Sequence, residues 1–181
     1  MRPRREIESD LLLIRFHRGD LASFSELMRL WERRLFYYIR RMVPAEEDAW
    51  DILQDVWMRA YTQMRTVRDA ASLRSWLYCV AHNAAVSHLR KHSRYEAALE
   101  NVETPAHGDS PAFDSDDARM IHEGIEKLAS AHREVIVLYF IEEFSQAEIA
   151  NILNIPEGTV KSRLHHAKHA LRTILDAEHG T

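Results

Sequence analysis

The chain has one cysteine, five glycines and five prolines in 181 residues, and each scarcity excludes something. Cys79 alone cannot close an intrachain disulfide, so the fold must rest on its apolar core, and a reducing, cytoplasmic setting is expected. So few Gly and Pro leave little material for the sharp turns of a β-protein, and alternating strand patterns are equally scarce. Both point to an all-α chain. The best strand candidate, residues 135–141, lies within a longer stretch holding Ala131, Glu134 and Glu142, and reads as a buried helix. Long apolar runs are missing too: residues 11–14 follow Arg2, Arg4 and Arg5 but are broken by Arg15, too short for a signal peptide or a membrane span. There is no glycine-rich phosphate loop and no nucleophile elbow, so no enzyme and no cofactor is expected.

What is present is most specific near the C-terminus, where residues 145–171 read SQAEIANILNIPEGTVKSRLHHAKHAL. Ser145 with Glu148 is a capping box, and Ile149, Ile152 and Leu153 form the apolar stripe of the helix it starts. Asn154 tolerates the left-handed conformation of a helix C-terminus, and Pro156 pre-sets the first turn of the next helix. About three residues separate the two, the spacing of a helix-turn-helix. From 159 to 172 the second helix holds Lys161, Arg163, Lys168 and Arg172 against no acid. Val160, Leu164, Ala167 and Leu171 form its buried side, so the polar side is free to read a DNA groove.

A formal net charge of −4 seems to oppose nucleic-acid binding until its distribution is examined. Glu96, Glu100, Glu103, Asp109, Asp114, Asp116 and Asp117 fall in one stretch without Lys or Arg, and without them the chain is net positive. That stretch also holds Pro105, Gly108 and Pro111 and little periodicity, the composition of a solvated tether. The expected organisation is two small helical domains, 1–94 and 118–181, joined by a flexible acidic linker at 95–117.

In the first domain, Leu11, Leu12, Ile14 and Phe16 suggest a short helix after Asp10, stopped by Gly19, with Asp20 as the next N-cap. A long helix follows, burying Phe24, Leu27, Met28, Trp31, Leu35, Tyr38, Ile39 and Met42, with Arg29, Arg33, Arg34, Arg40 and Arg41 wet and Pro44 closing it. Then comes EEDAWDILQDVWMRAY, with five acids before Arg59. The first three suit a helix N-terminus, but Asp51 and Asp55 repel each other at i, i+4. This is either a solvated acidic face or, given Trp50 and Trp57 among the acids, a protein interface. After a loop at 65–72, LRSWLYCVAHNAAVSHLRKHSR turns from apolar to basic, with Asn83, Ser87 and His88 and then Arg90, Lys91 and Arg94. Trp76 and Tyr78 are either core residues or platforms for unstacked bases beside those cations.

This order of segments resembles the extracytoplasmic-function (group 4) sigma factors of the sigma-70 family, which hold regions two and four joined by a linker. AWDILQDVWMRAY is similar to the family's acidic DLVQE-type segment, SWLYCVAHNAAVSHLRKH to its W-L-Y-x-I-A-x-N helix, and HREVIVLYFIEEFSQAEIANILNIPEGTVKSRLHHAK to the pattern ending G-T-V-K-S-R-L. The resemblance covers almost the whole chain. It implies a promoter-specificity subunit that binds core RNA polymerase, directs it to promoter DNA and assists melting, held inactive by an anti-sigma factor. Asp51, Gln54 and Asp55 match the positions that dock on polymerase. The 65–72 loop and Asn83 match the part that captures an extruded base of the minus-ten element, with Arg90 and Lys91 on phosphates. Lys161, Ser162, His165 and His166 match positions facing the minus-thirty-five duplex, with Thr159 and Arg163 near the backbone. His82 and His166 stand where the family often has Arg, and neutral imidazole cannot make the bidentate contact Arg makes to guanine. Asn154 replaces the usual Gly, and Glu143-Phe144 the usual Gly-Leu, changes that a helix cap and a turn can absorb.

Two rivals remain. His88 with His92, and His165 with His169, each set two imidazoles on one helix face, but neither has a third ligand nearby in sequence, and no metal site is expected. The other rival is an autonomous helix-turn-helix regulator, which would bind an operator as a dimer without polymerase.

Overall fold

The computed structural model describes residues 4–98 and 116–179. Most of the 95–117 stretch, with Glu100, Glu103, Asp109 and Asp114, lies outside the described residues. The described chain has no strand and divides into two compact units, one within residues 1–105 and the other within 106–181.

The first unit is a four-helix bundle: α1 (Arg4–His17), α2 (Ala22–Arg40), α3 (Glu46–Gln63) and α4 (Leu73–Ala98). Helix α1 starts about two turns before the expected position after Asp10. Its polar first half is anchored by Ser9, whose buried hydroxyl accepts the Trp31 Nε1–H at 2.7 Å and donates to Arg5 O at 2.9 Å. Leu12, Leu13 and Phe16 face the core, while Leu11 and Ile14 are exposed. Gly19 takes φ +95°, the left-handed region that glycine enters without strain. Asp20 then accepts from the Ala22 N–H at 3.1 Å, although the helix itself begins at Ala22, after Leu21. Arg15 braces this corner, donating to Asp20 at 2.8 Å and to both Glu26 oxygens at 3.1 Å. Those bonds hold the Asp20 carboxyl below its usual range and raise Arg15.

Helix α2 buries Phe24, Leu27, Trp31, Leu35, Tyr38 and Ile39, as its three-and-four periodicity requires. Arg41 was expected to be wet and is only 4% exposed. Its guanidinium lies 4.7 Å from the Tyr37 ring centroid, so its charge is held against an aromatic face rather than hydrated. The 65–72 loop consists of two 3-10 turns, Met64–Thr66 and Ala70–Ser72, with Met64 and Val67 buried beneath it.

The second unit contains α5 (Asp116–Glu126), α6 (Ser130–Ile136), a π-turn (Val137–Ile141), α7 (Gln146–Leu153) and α8 (Glu157–His179). Arg133 caps the end of α5, donating to Glu126 O at 2.6 Å and Leu128 O at 3.0 Å. The 135–141 run is helical as expected, but not wholly buried: a π-turn takes up its last five residues and leaves Phe140 exposed. Glu143 follows at φ +55°, left-handed where the family pattern has Gly. Among the described residues no helix is long and apolar enough to cross a membrane.

Candidate functional site

Helix α3 opens after the extended Ala45, with Glu46, Glu47 and Asp48 in its first turn, where acids interact favourably with the helix dipole. Ala49, Ile52, Leu53, Val56, Trp57 and Ala60 turn inward, leaving Asp51, Gln54 and Asp55 exposed on the opposite side. Asp55 is partly compensated by Arg59, 3.7 Å away. Asp48 turns from the acidic face towards α4, its carboxylate 3.2 Å from His88 Nε2. Beside the acids lies an open groove of about 560 Å³, lined by Met28 and Glu32 of α2 and by Trp50, Asp51, Gln54 and Met58 among others.

The two tryptophans of this segment part ways. Trp50 is 48% exposed and stacks on Phe36 with ring centroids 4.0 Å apart. Trp57 is 6% exposed and packs edge-on against Phe24, so it is mainly a core residue whose small exposed part, with Phe24, belongs to the lining of the groove. Sequence reasoning missed Met58, 63% exposed, and the α2 residues of the groove. Met58 stands four residues after Gln54 and seven after Asp51, so helical spacing alone could have found it.

On α4, Asn83, Arg90 and Lys91 are all exposed. Asn83 and Arg90 are seven residues apart and share a face, with Lys91 beside them. Tyr78 is wholly buried, with ring centroids 5.3 Å from Tyr38 and 6.5 Å from Trp31. The core alternative therefore holds for Tyr78, while Trp76 is half-buried. His82 turns inward, its Nδ1 3.4 Å from the Tyr38 hydroxyl. Ahead of α4 the loop is pinned by Asp69, which accepts from the Ala71 N–H at 3.0 Å while the Ser72 hydroxyl donates to Asp69 O at 2.6 Å. Half-buried Arg74 pairs with Glu6 at 2.8 Å, tying α4 to α1. Burial pushes the Cys79 thiol up, away from a reactive thiolate.

In the second unit the capping box forms as read: Ser145 N–H donates to the Glu148 carboxylate at 2.8 Å and Glu148 N–H to Ser145 Oγ at 3.3 Å. Asn154 ends α7 at φ +53°, and the Ile155 N–H reaches back to Ala150 O at 3.1 Å. Pro156 O accepts from the Thr159 and Val160 amides. The three-residue turn sets α8 with Val160, Leu164 and Ala167 buried and Lys161, Ser162, His165 and His166 exposed. Thr159 and Arg163 are half-buried at its margin, and Leu171 is half-buried rather than fully inside. The His166 ring lies near-parallel to His132 of α6, centroids 6.4 Å apart. His88 and His92 stack at 6.1 Å, yet among the described residues no group of three or more His, Cys, Asp or Glu is arranged to hold a metal ion. The resulting surfaces are an acidic, apolar-lined groove and two polar helix faces bearing cations.

Residues 27–95 match the family described as Sigma-70 region 2, and residues 118–171 match Sigma-70, region 4. The chain is 31% identical over 171 residues to the ECF RNA polymerase sigma factor SigW of Bacillus subtilis (strain 168), covering 87% of this chain and 91% of that protein. The chain belongs to the sigma-70 family, in its ECF group. Another ECF relative, SigL of Mycobacterium tuberculosis (strain ATCC 25618 / H37Rv), is 31% identical over 166 residues, 87% of this chain and 93% of that one. Among solved structures, the sigma factor RpoE in complex with the anti-sigma factor NepR, from Bartonella quintana, superposes with a TM-score of 0.77 at 25% identity, covering 86% of this chain and 98% of that chain. In this ECF sigma factor, then, α3 and α4 lie in region 2, and α7 and α8 form the helix-turn-helix of region 4.

Proposed function

We propose that this ECF sigma factor docks on core RNA polymerase through the α3 groove, with Asp51, Gln54 and Asp55 meeting cations of the polymerase and Trp50 and Met58 meeting its apolar side chains. The observation that carries this is the groove itself: the apolar surface of Trp50 and Met58 is left in water, and the exposed acids beside it complement a basic, amphipathic partner. Asn83 with the 65–72 loop captures a base of the minus-ten element, and Arg90 and Lys91 hold its phosphates. Lys161, Ser162, His165 and His166 read the minus-thirty-five duplex, with Thr159 and Arg163 at the backbone. Domains at 1–94 and 118–181 act together through the 95–117 tether, and the chain makes no bond itself. It works in the cytoplasm as one copy per polymerase. An anti-sigma factor, the kind of partner bound to RpoE in the complex named above, holds it inactive by covering these same surfaces.

The test is duplex binding with and without polymerase. The purified protein should show little specific binding to promoter DNA until core RNA polymerase is added. Tight, specific operator binding by the protein alone, as a dimer, would instead favour an autonomous regulator.

A further inference from the structure

The helix-turn-helix is preceded by the one π-turn among the described residues, Val137–Ile141, closed by the Glu142 N–H donating to Val137 O at 2.9 Å. Such turns are rare and cluster at functional sites. Here the turn keeps Val137 and Leu138 buried while Tyr139 is half-buried and Phe140 is 53% exposed. The turn thus holds a large apolar ring at the surface, where a neighbouring group can use its face. Its neighbour is Lys168 of α8, whose Nζ lies 5.4 Å from the Tyr139 ring centroid and 5.2 Å from that of Phe140. The two rings meet edge to face, 4.9 Å apart at 79°. The ammonium thus sits within cation–π range of both rings.

Lys168 is seven residues after Lys161 and four before Arg172, so the three cations form a row along one edge of α8. A lysine bound by a carboxylate would be neutralised. One held by aromatic rings loses rotamer freedom but keeps its charge, which suits it to meet a phosphate at small entropic cost.

We propose that Lys168 contacts a DNA phosphate beside the duplex that α8 reads, and that Tyr139 and Phe140 are positioning residues that hold its ammonium there. The proposal rests on the reading of α8 as the duplex-facing helix. The test is the salt dependence of promoter binding by the polymerase complex of this chain, comparing wild type, Lys168→Gln, Phe140→Leu, both together, and Lys161→Gln. Lys168→Gln should reduce the slope of log K against log salt by about 0.9, the loss of one phosphate contact. Phe140→Leu, a surface change that spares the core, should weaken binding about two- to fivefold in the wild-type background and have no further effect once Lys168 is Gln. An unchanged slope for Lys168→Gln overturns the proposal, as does a Phe140→Leu effect of equal size in both backgrounds. If Lys161→Gln shifts the slope and Lys168→Gln does not, only this inference fails. If neither shifts it, the reading of α8 fails as well.

Discussion

The exposed faces of α3 and α8 are each a row of like charges on a helix, yet they differ in what lies beside the charge. Next to Asp51 and Asp55 are Trp50 and Met58, large, exposed and bordering a groove. Next to Lys161 are Ser162, His165 and His166, all polar and exposed. Charge beside an open apolar groove suits a protein, whose side chains can fill it, whereas charge beside hydrogen-bonding groups, with the exposed Phe140 ring set against Lys168 rather than lining a groove, suits a polyanion with polar base edges. The same helical architecture therefore supports two classes of partner, and composition of the exposed face decides between them.

The sharpest way to break the comparison is to separate core from surface within α3. Trp57→Ala should cost about 3 to 5 kcal/mol of stability by leaving a cavity under Phe24. Trp50→Ala loses the stacking on Phe36 and should cost distinctly less stability, about 1 to 2 kcal/mol, while weakening polymerase binding; thermal melts and a binding titration together separate the two. Next, Asp51→Lys should weaken polymerase association by about 2 to 5 kcal/mol if the carboxylate meets a polymerase cation. The same change should slightly stabilise the isolated helix, because it replaces an i, i+4 repulsion with Asp55 by an attraction. Loss of binding with retained or raised melting temperature is thus the expected pattern.

On the α8 side, His166→Ala should weaken minus-thirty-five recognition by about 1 to 3 kcal/mol if the imidazole touches a base, measured by competition among duplexes varied in that element. Smaller still, Glu143→Gly should relieve the left-handed strain ahead of the helix-turn-helix and stabilise the chain by about 1 kcal/mol or less, since backbone entropy offsets part of the gain. The last effect belongs to neither face. Asp20, held below its ordinary range by Arg15, contributes stability that is present above the unfolded carboxylate value of about 3.9 and is lost as pH falls through the lower folded value. Asp20→Asn should therefore destabilise at neutral pH, with the difference from wild type closing below about pH 4 in acid unfolding curves.

The helix-turn-helix was legible residue by residue, because its signals are local: a capping box, an Asn in the left-handed region and a Pro before a helix need only their neighbours in sequence. Asp51 and Asp55 were legible as an acidic face from their i, i+4 spacing, and Gln54 only through the family resemblance. What escaped was decided by tertiary partners. The early start of α1 depends on a hydrogen bond from Trp31, 22 residues away, to Ser9. Arg41 reads as a surface cation, and only the bundle buries it. Trp50 and Trp57 look equivalent in sequence, and the position of Phe24 separates them. The π-turn left no local mark, since an apolar run of seven residues suits a buried helix just as well, and so its display of Phe140 to Lys168 was not foreseen.

The most direct test of the account is a titration of the purified chain, with no inhibitor present, against core RNA polymerase at low salt, with Asp51→Lys alongside. The account predicts a one-to-one complex with wild type and a complex weakened at least tenfold for the variant, corresponding to more than about 1.4 kcal/mol. Failure of the wild-type chain to associate, or equal affinity for both proteins, would contradict it.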